Sequence, residues 1–107
     1  MGKLVHISGI LRTDAITVGG ASGVVCIGNL PFPVKNDGDA YTAISLSSAN
    51  SFAGDVPLNS RAVPNTSRIE LYYRTSVNGD DAGLAVSDMS TAANSNNLVF
   101  GGTYETD

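Results

Sequence analysis

Wherever apolar and polar residues follow a regular pattern in this chain, the period is two, the spacing of a strand with one face buried. In Leu4–Leu11, Val5, Ile7 and Leu11 fall on one face with Gly9 between them, and His6 and Ser8 point to the other. In Ala40–Leu46, Tyr41, Ala43 and Ser45 alternate with Thr42, Ile44 and Leu46. Arg68–Arg74 is the clearest case: Ile69, Leu71 and Tyr73 share one face, and Arg68, Glu70, Tyr72 and Arg74 share the other, as in a half-buried antiparallel strand. Two further strands are predicted at Val24–Ile27 and Asn97–Tyr104.

The segments between these strands carry turn residues. Gly19-Gly20-Ala21-Ser22-Gly23 precedes the Val24–Ile27 run, and Gly28-Asn29-Leu30-Pro31-Phe32-Pro33 follows it. Two prolines so close together forbid both a helix and a central strand. Asn78-Gly79 is a hairpin signal, from which a short strand at Leu84–Val86 returns. Ala82–Ala93 is the best helical stretch, but Gly83, Ser87, Ser90 and Thr91 reduce it to one turn near Asp88–Ala92. Short strands at this spacing, with no fixed-period repeat, predict an all-β fold: one domain over residues 1–107, a small antiparallel β-sandwich of jelly-roll type.

Composition narrows the function. Charged residues are 15% of the chain, and Ser, Asn, Thr and Gly take their place, which gives a polar but weakly charged surface. Net charge is −4, and the six basic residues are scattered, so there is no footprint for nucleic acid. No apolar run approaches the roughly 20 residues that span a bilayer, and membrane insertion is not expected. The N-terminus lacks the apolar core and cleavage site of a signal peptide. The single Cys26 excludes a disulfide framework and a multi-cysteine zinc site, and its apolar neighbours predict a buried thiol.

Candidate chemistry is sparse. His6 is the only histidine and lies mid-strand, a poor position for a catalytic triad. The carboxylates Asp37, Asp39, Asp55, Asp80, Asp81 and Asp88 fall in predicted turns, where Asp serves to cap and bend the chain. Asn36-Asp37-Gly38-Asp39 lacks the spacing and distal Glu of a calcium loop, and no Lys-Ser/Thr pair follows the glycines to cradle a phosphate. No catalytic residue, metal or cofactor is expected. Binding is more plausible through aromatic rings, which stack on the C–H faces of sugars. Tyr72, on the polar face of its strand, is expected at the surface or a subunit boundary, with Arg74 beside it and Tyr41 and Tyr104 as further contacts.

Four stretches, in order, resemble a domain found at the C-termini of bacteriophage tail fibre and tailspike proteins. Gly2-Lys3-Leu4-Val5-His6-Ile7-Ser8-Gly9 is similar to its first strand. Gly28-Asn29-Leu30-Pro31-Phe32 is similar to its Gly-Leu-Pro-Phe turn, with Asn29 inserted, and Asn36 matches the polar turn residue that follows. Ile69-Glu70-Leu71-Tyr72 resembles its Ile-x-Leu-Tyr strand, and Leu98–Tyr104 its closing strand. Such domains usually carry a few residues before the Gly-Lys pair, where this chain has Met1; that fits a trimmed piece or a product of an internal start codon. The resemblance implies a homotrimer at a fibre or spike tip, made in the bacterial cytoplasm and carried on the virion. Its partners would be host cell-surface polysaccharide and the upstream part of the same fibre or spike. It also implies two alternatives: a trimerisation clamp without a ligand, and a polysaccharide-binding accessory domain of a polysaccharide-degrading enzyme.

Overall fold

A computed structural model describes residues 3–36, 38, 41–76 and 79–107. Seven strands follow in chain order: β1 (Lys3–Thr13), β2 (Cys26–Ile27), β3 (Thr42–Asn50), β4 (Asn59–Ala62), β5 (Ile69–Arg74), β6 (Asp81–Gly83) and β7 (Ser95–Thr106). One 3-10 turn, Val86–Asp88, lies between β6 and β7. The strands form one antiparallel sheet in the order β1-β7-β3-β4-β5-β2, with β6 also paired to β5. The all-β antiparallel expectation holds.

The sheet curls on itself, and β3 is its corner. Thr42–Ile44 pair with β4, whereas Ser45–Asn50 pair with β7. The β3–β7 register shifts between Ser47 and Asn50, where Ser48 takes a left-handed φ of 54°. An irregularity of this kind bends a strand and lets it serve two halves of a sandwich.

Two buried clusters fill the curl. The first holds Val34, Ile44, Ala62, Ile69 and Tyr104, with Val5, Ile7 and Leu30 against it. The second holds Leu71, Leu84 and Leu98, with Leu11, Leu46, Phe52 and Tyr73 against it. Ile27 and Phe100 pack on both. The predicted faces of Leu4–Leu11, Ala40–Leu46 and Arg68–Arg74 therefore stand, apart from Ala40, which lies outside the described residues.

Several expectations need correcting. The Val24–Ile27 strand shrinks to Cys26–Ile27, an edge strand whose outward side has no second layer over it. Cys26 is therefore exposed rather than buried, its Sγ donating to Val24 O at 3.3 Å. The strand that returns after Asn78-Gly79 is Asp81–Gly83 rather than Leu84–Val86, and Leu84 turns into the second cluster. The tip of that hairpin, Val77 and Asn78, is outside the described residues, as are Asp37 and Asp39 of the Asn36–Asp39 loop and Met1 and Gly2 of the opening motif. The helical turn sits at Val86–Asp88, slightly before the predicted position. Strand β4, Asn59-Ser60-Arg61-Ala62, was not expected, because it carries no apolar residue larger than Ala.

Polar side chains hold the irregular segments. Asn96 is fully buried: its Oδ1 accepts from Ser90 N at 2.8 Å, and its Nδ2 donates to Thr13 Oγ1 at 2.7 Å and Ser90 O at 2.8 Å. The buried Asp88 carboxylate accepts from the N–H groups of Asp55 and Ala85, both at 3.0 Å, and so ties the 53–55 loop to the 3-10 turn. Asn29, the extra residue of the Gly-Asn-Leu-Pro-Phe turn, adopts a φ of 59°, which Asn tolerates better than most residues.

Gly9 and Phe100 face each other across β1 and β7, and a Cβ on Gly9 would stand 2.6 Å from the Phe100 ring. Gly9→Ala should therefore destabilise the protein by about 1–3 kcal/mol. Gly28→Ala, where nothing lies within 4 Å of the new Cβ, should change stability by less than about 0.5 kcal/mol. Asn96→Ala should cost about 2 kcal/mol or more, since it removes three side-chain hydrogen bonds at a fully buried position and puts Ala at a left-handed φ of 52°. Urea unfolding of the three variants tests all of this.

Candidate functional site

Among the described residues, the outer face of β3, β4 and β5 carries the one cluster that joins aromatic rings to charge. Antiparallel register sets Ala43, Arg61, Glu70 and Cys26 in a row across β3, β4, β5 and β2, so their side chains share a face. The Arg61 guanidinium lies over the ring of Tyr41 at 4.0 Å and over that of Tyr72 at 4.4 Å. Cation–π contacts are worth about 0.5–1 kcal/mol at exposed sites and about 2 when desolvated. The two rings flank the Arg61 guanidinium, whose Nε is buried with no partner. Glu70 lies between two cations, with Arg61 at 3.7 Å from Oε1 and Arg68 at 3.6 Å from Oε2. Tyr72 donates its hydroxyl to Glu70 Oε1 at 2.6 Å.

Of the four residues expected to make contacts, the fold brings Tyr41 and Tyr72 together and leaves the other two elsewhere. Tyr41 is 43% exposed, as a contact residue would be. Tyr72 points away from Ile69 and Leu71 as predicted, but it is only 7% exposed, because Arg61 and its own bond to Glu70 cover it. It supports the site from beneath rather than presenting a ring to solvent. Arg74 is exposed further along β5, opposite Asp81, and reaches Gly79 O at 3.4 Å. Tyr104 belongs to the first buried cluster. Its hydroxyl donates to Phe32 O at 2.7 Å and accepts from Phe32 N at 3.4 Å, which docks the Pro31–Pro33 turn onto β7. The Tyr72 correction has a simple cause: strand alternation predicts a face, but not what else lies on it.

Arg61 was missed for that reason. It sits in a strand without apolar alternation, and only the pairing of β4 with β5 sets it beside Glu70. Elsewhere the chemistry is slight. His6 Nδ1 lies 2.6 Å from Thr103 Oγ1 on an exposed face. Among the described residues, no three His, Cys, Asp or Glu side chains stand together as metal ligands. Among them, too, no helix is long and apolar enough to cross a membrane. An open cleft of about 360 Å³ is lined by Arg12, Thr13, Asp14 and Asn94, with Arg12 hydrogen-bonded to Asn94. Another of about 220 Å³ lies among Lys3, Leu4, Val5, Phe32, Thr106 and Asp107.

Comparison of the chain with protein-family models, curated proteins and solved structures gives no match.

Burial pushes the Tyr72 hydroxyl up to about 12; the hydrogen bond and negative charge of Glu70 act in the same direction, and Arg61 opposes them. An unfolded chain releases this proton near 10, so the folded state binds more protons between the two values. Stability should therefore fall as pH rises from about 10 to about 12, by about 1 kcal/mol from this group, because solvent screens a hydroxyl this near the surface. Tyr72→Phe should flatten that part of the profile while keeping the ring under Arg61. Chemical denaturation of both proteins at several pH values across this window measures the difference; parallel profiles would show that Tyr72 does not set the decline.

Proposed function

We propose that this chain is a non-enzymatic attachment module of a bacteriophage tail fibre or tailspike tip, which assembles as a homotrimer and binds glycan on the host surface. One observation carries the reading: the four stretches that resemble such domains pack against one another. Val5 and Ile7 from the first, Leu30 from the second, Ile69 from the third, and Phe100 and Tyr104 from the fourth all meet at the first buried cluster. The Tyr104 hydroxyl also holds Phe32 of the Leu-Pro-Phe turn directly. Motifs that touch have a physical reason to occur together, namely one fold.

A second reading, a trimerisation clamp without a ligand, is favoured by the outer face of β1 and β7. Leu4 is 75% and Ile10 79% exposed there, and Val99 stands opposite Ile10. Between Arg12 at one end and Glu105 at the other, that face shows His6, Ser8, Thr103, Gly101 and, from β3, Ser45 and Ser47, with no Asp, Glu, Lys or Arg. Copies that each carry a net charge of −4 repel least where they meet over an uncharged apolar surface.

Sedimentation equilibrium should give three times 11.0 kDa, and labelled protein should bind cells of the host bacterium and their extracted polysaccharide without releasing reducing ends. A monomer at micromolar concentration removes the trimer from both readings. A trimer that binds neither cells nor polysaccharide leaves the clamp.

A further inference from the structure

The cluster on the outer face of β4 and β5 has unspent hydrogen-bonding capacity. A guanidinium carries five N–H donors in a planar fork. Arg61 and Arg68 both approach Glu70, at 3.7 and 3.6 Å, beyond the usual range for an N–H···O hydrogen bond. The bond to Oε1 comes from Tyr72, at 2.6 Å. Glu70 thus attracts the two cations and sets their spacing without using their donors.

Charge and rigidity point the same way. Two arginines against one carboxylate leave one net positive charge on a molecule whose total is −4. The other charges on this face are spoken for or remote: Asp81 accepts from Asn59 at 3.1 Å, and Arg74 pairs in register with Asp81. Arg61 is clamped between two rings, so binding costs little of the ordering that a free arginine would lose. Arg68 is exposed at the rim, and Tyr41 leaves part of its ring open to solvent beside Arg61. A fixed guanidinium, a second one nearby and an amphipathic ring at their edge match a ligand with a carboxylate on a saturated ring.

We infer that the surface formed by Tyr41, Arg61 and Arg68 binds an acidic saccharide of the uronate class, its ring against Tyr41 and its carboxylate at the two guanidinium groups. This rests on the glycan-attachment reading and specifies the glycan. Glu70 and Tyr72 are positioning residues: they hold the arginines from beneath. Arginine pairs with carboxylates through two parallel, charge-assisted N–H···O bonds; a neutral sugar offers hydroxyl acceptors without the charge. The preference for the acid over its neutral counterpart should be about tenfold or more.

The test is calorimetry and amide-shift mapping of the whole chain with oligogalacturonate and with the same oligomer after reduction of its carboxyl groups. The acidic oligomer is expected to bind about tenfold or more tightly and to shift the amides of Tyr41, Arg61, Arg68 and Glu70. Arg68→Gln should weaken it by about tenfold at an unchanged melting temperature, and Arg61→Lys, which keeps the charge but loses the planar fork, should also weaken it. Arg74→Gln, on the same strand but outside the cluster, should bind as the parent does. Equal binding of the two oligomers overturns the inference. So does absence of acidic binding at millimolar concentration, or full binding by Arg68→Gln and Arg61→Lys. Adhesion of the parent protein to host cells, assayed alongside, separates the failures: adhesion without carboxylate preference defeats this site alone, whereas loss of adhesion defeats the attachment reading.

Discussion

The Phe100 ring lies on the bare backbone of Gly9, and the two halves of the fold depend on that contact. A ring of this size fits there only because its cross-strand partner has no side chain; any other residue would drive it off the sheet. In place, it packs against both buried clusters, a position it shares with Ile27 from the opposite edge of the sheet. Strand β7 is thus held between β1 and β3 by backbone pairing and filled beneath by one aromatic that neither cluster could spare. Tyr104 lies in the first cluster, and Phe52 and Tyr73 pack against the second, but of these rings Phe100 alone packs against both.

Away from that seam, buried polar groups do what apolar bulk does in larger domains. Asn96 bonds to Thr13 and to both backbone groups of Ser90, and its own N–H donates to Ser51 O at 3.0 Å, which collects four chain segments at one end of the sheet. Asp88 joins the 53–55 loop to the 3-10 turn, Tyr104 fixes the Pro31–Pro33 turn, and Ser60 donates to Ile44 O at 2.7 Å inside the core. Each such group stabilises only when fully paired, because an unpaired one costs about 1–3 kcal/mol. Ser60, Ser95 and Asn96 are the buried members of a Ser- and Asn-rich composition; they serve the backbone at irregular places, whereas most of the other Ser and Asn side chains face solvent.

What the sequence made legible follows from what alternation encodes. It reports which side of a strand meets the core, and Val5, Ile7, Ile44, Ile69 and Leu71 all lie where the period of two puts them. It is silent on lateral neighbours. Tyr72 faces away from the core and is nevertheless buried, because β4 brings Arg61 across its ring, and no feature of Asn59–Ala62 announces that strand. Cys26 fails in the opposite sense: its apolar run implies two covered faces, but an edge strand of two residues has only one. Tyr104 reads as a contact residue because its strand ends in Gly-Gly-Thr-Tyr, with no apolar alternation to assign its face.

The burial of Tyr72 reshapes the functional argument more than it weakens it. A tyrosine at the surface would offer its ring and its hydroxyl to a ligand. Buried beneath Arg61, the same side chain spends its hydroxyl on Glu70, and that bond leaves the carboxylate to hold Arg61 and Arg68 by charge alone. The recognition chemistry then passes to Arg61, which the strand pattern did not single out, with Tyr41 the one expected aromatic contact still facing solvent. The uncharged outer face of β1 and β7 lies on the far side of the β3 corner from this cluster. Contact between copies through the first would leave the second clear, so assembly and attachment need not compete for the same surface in a domain of this size.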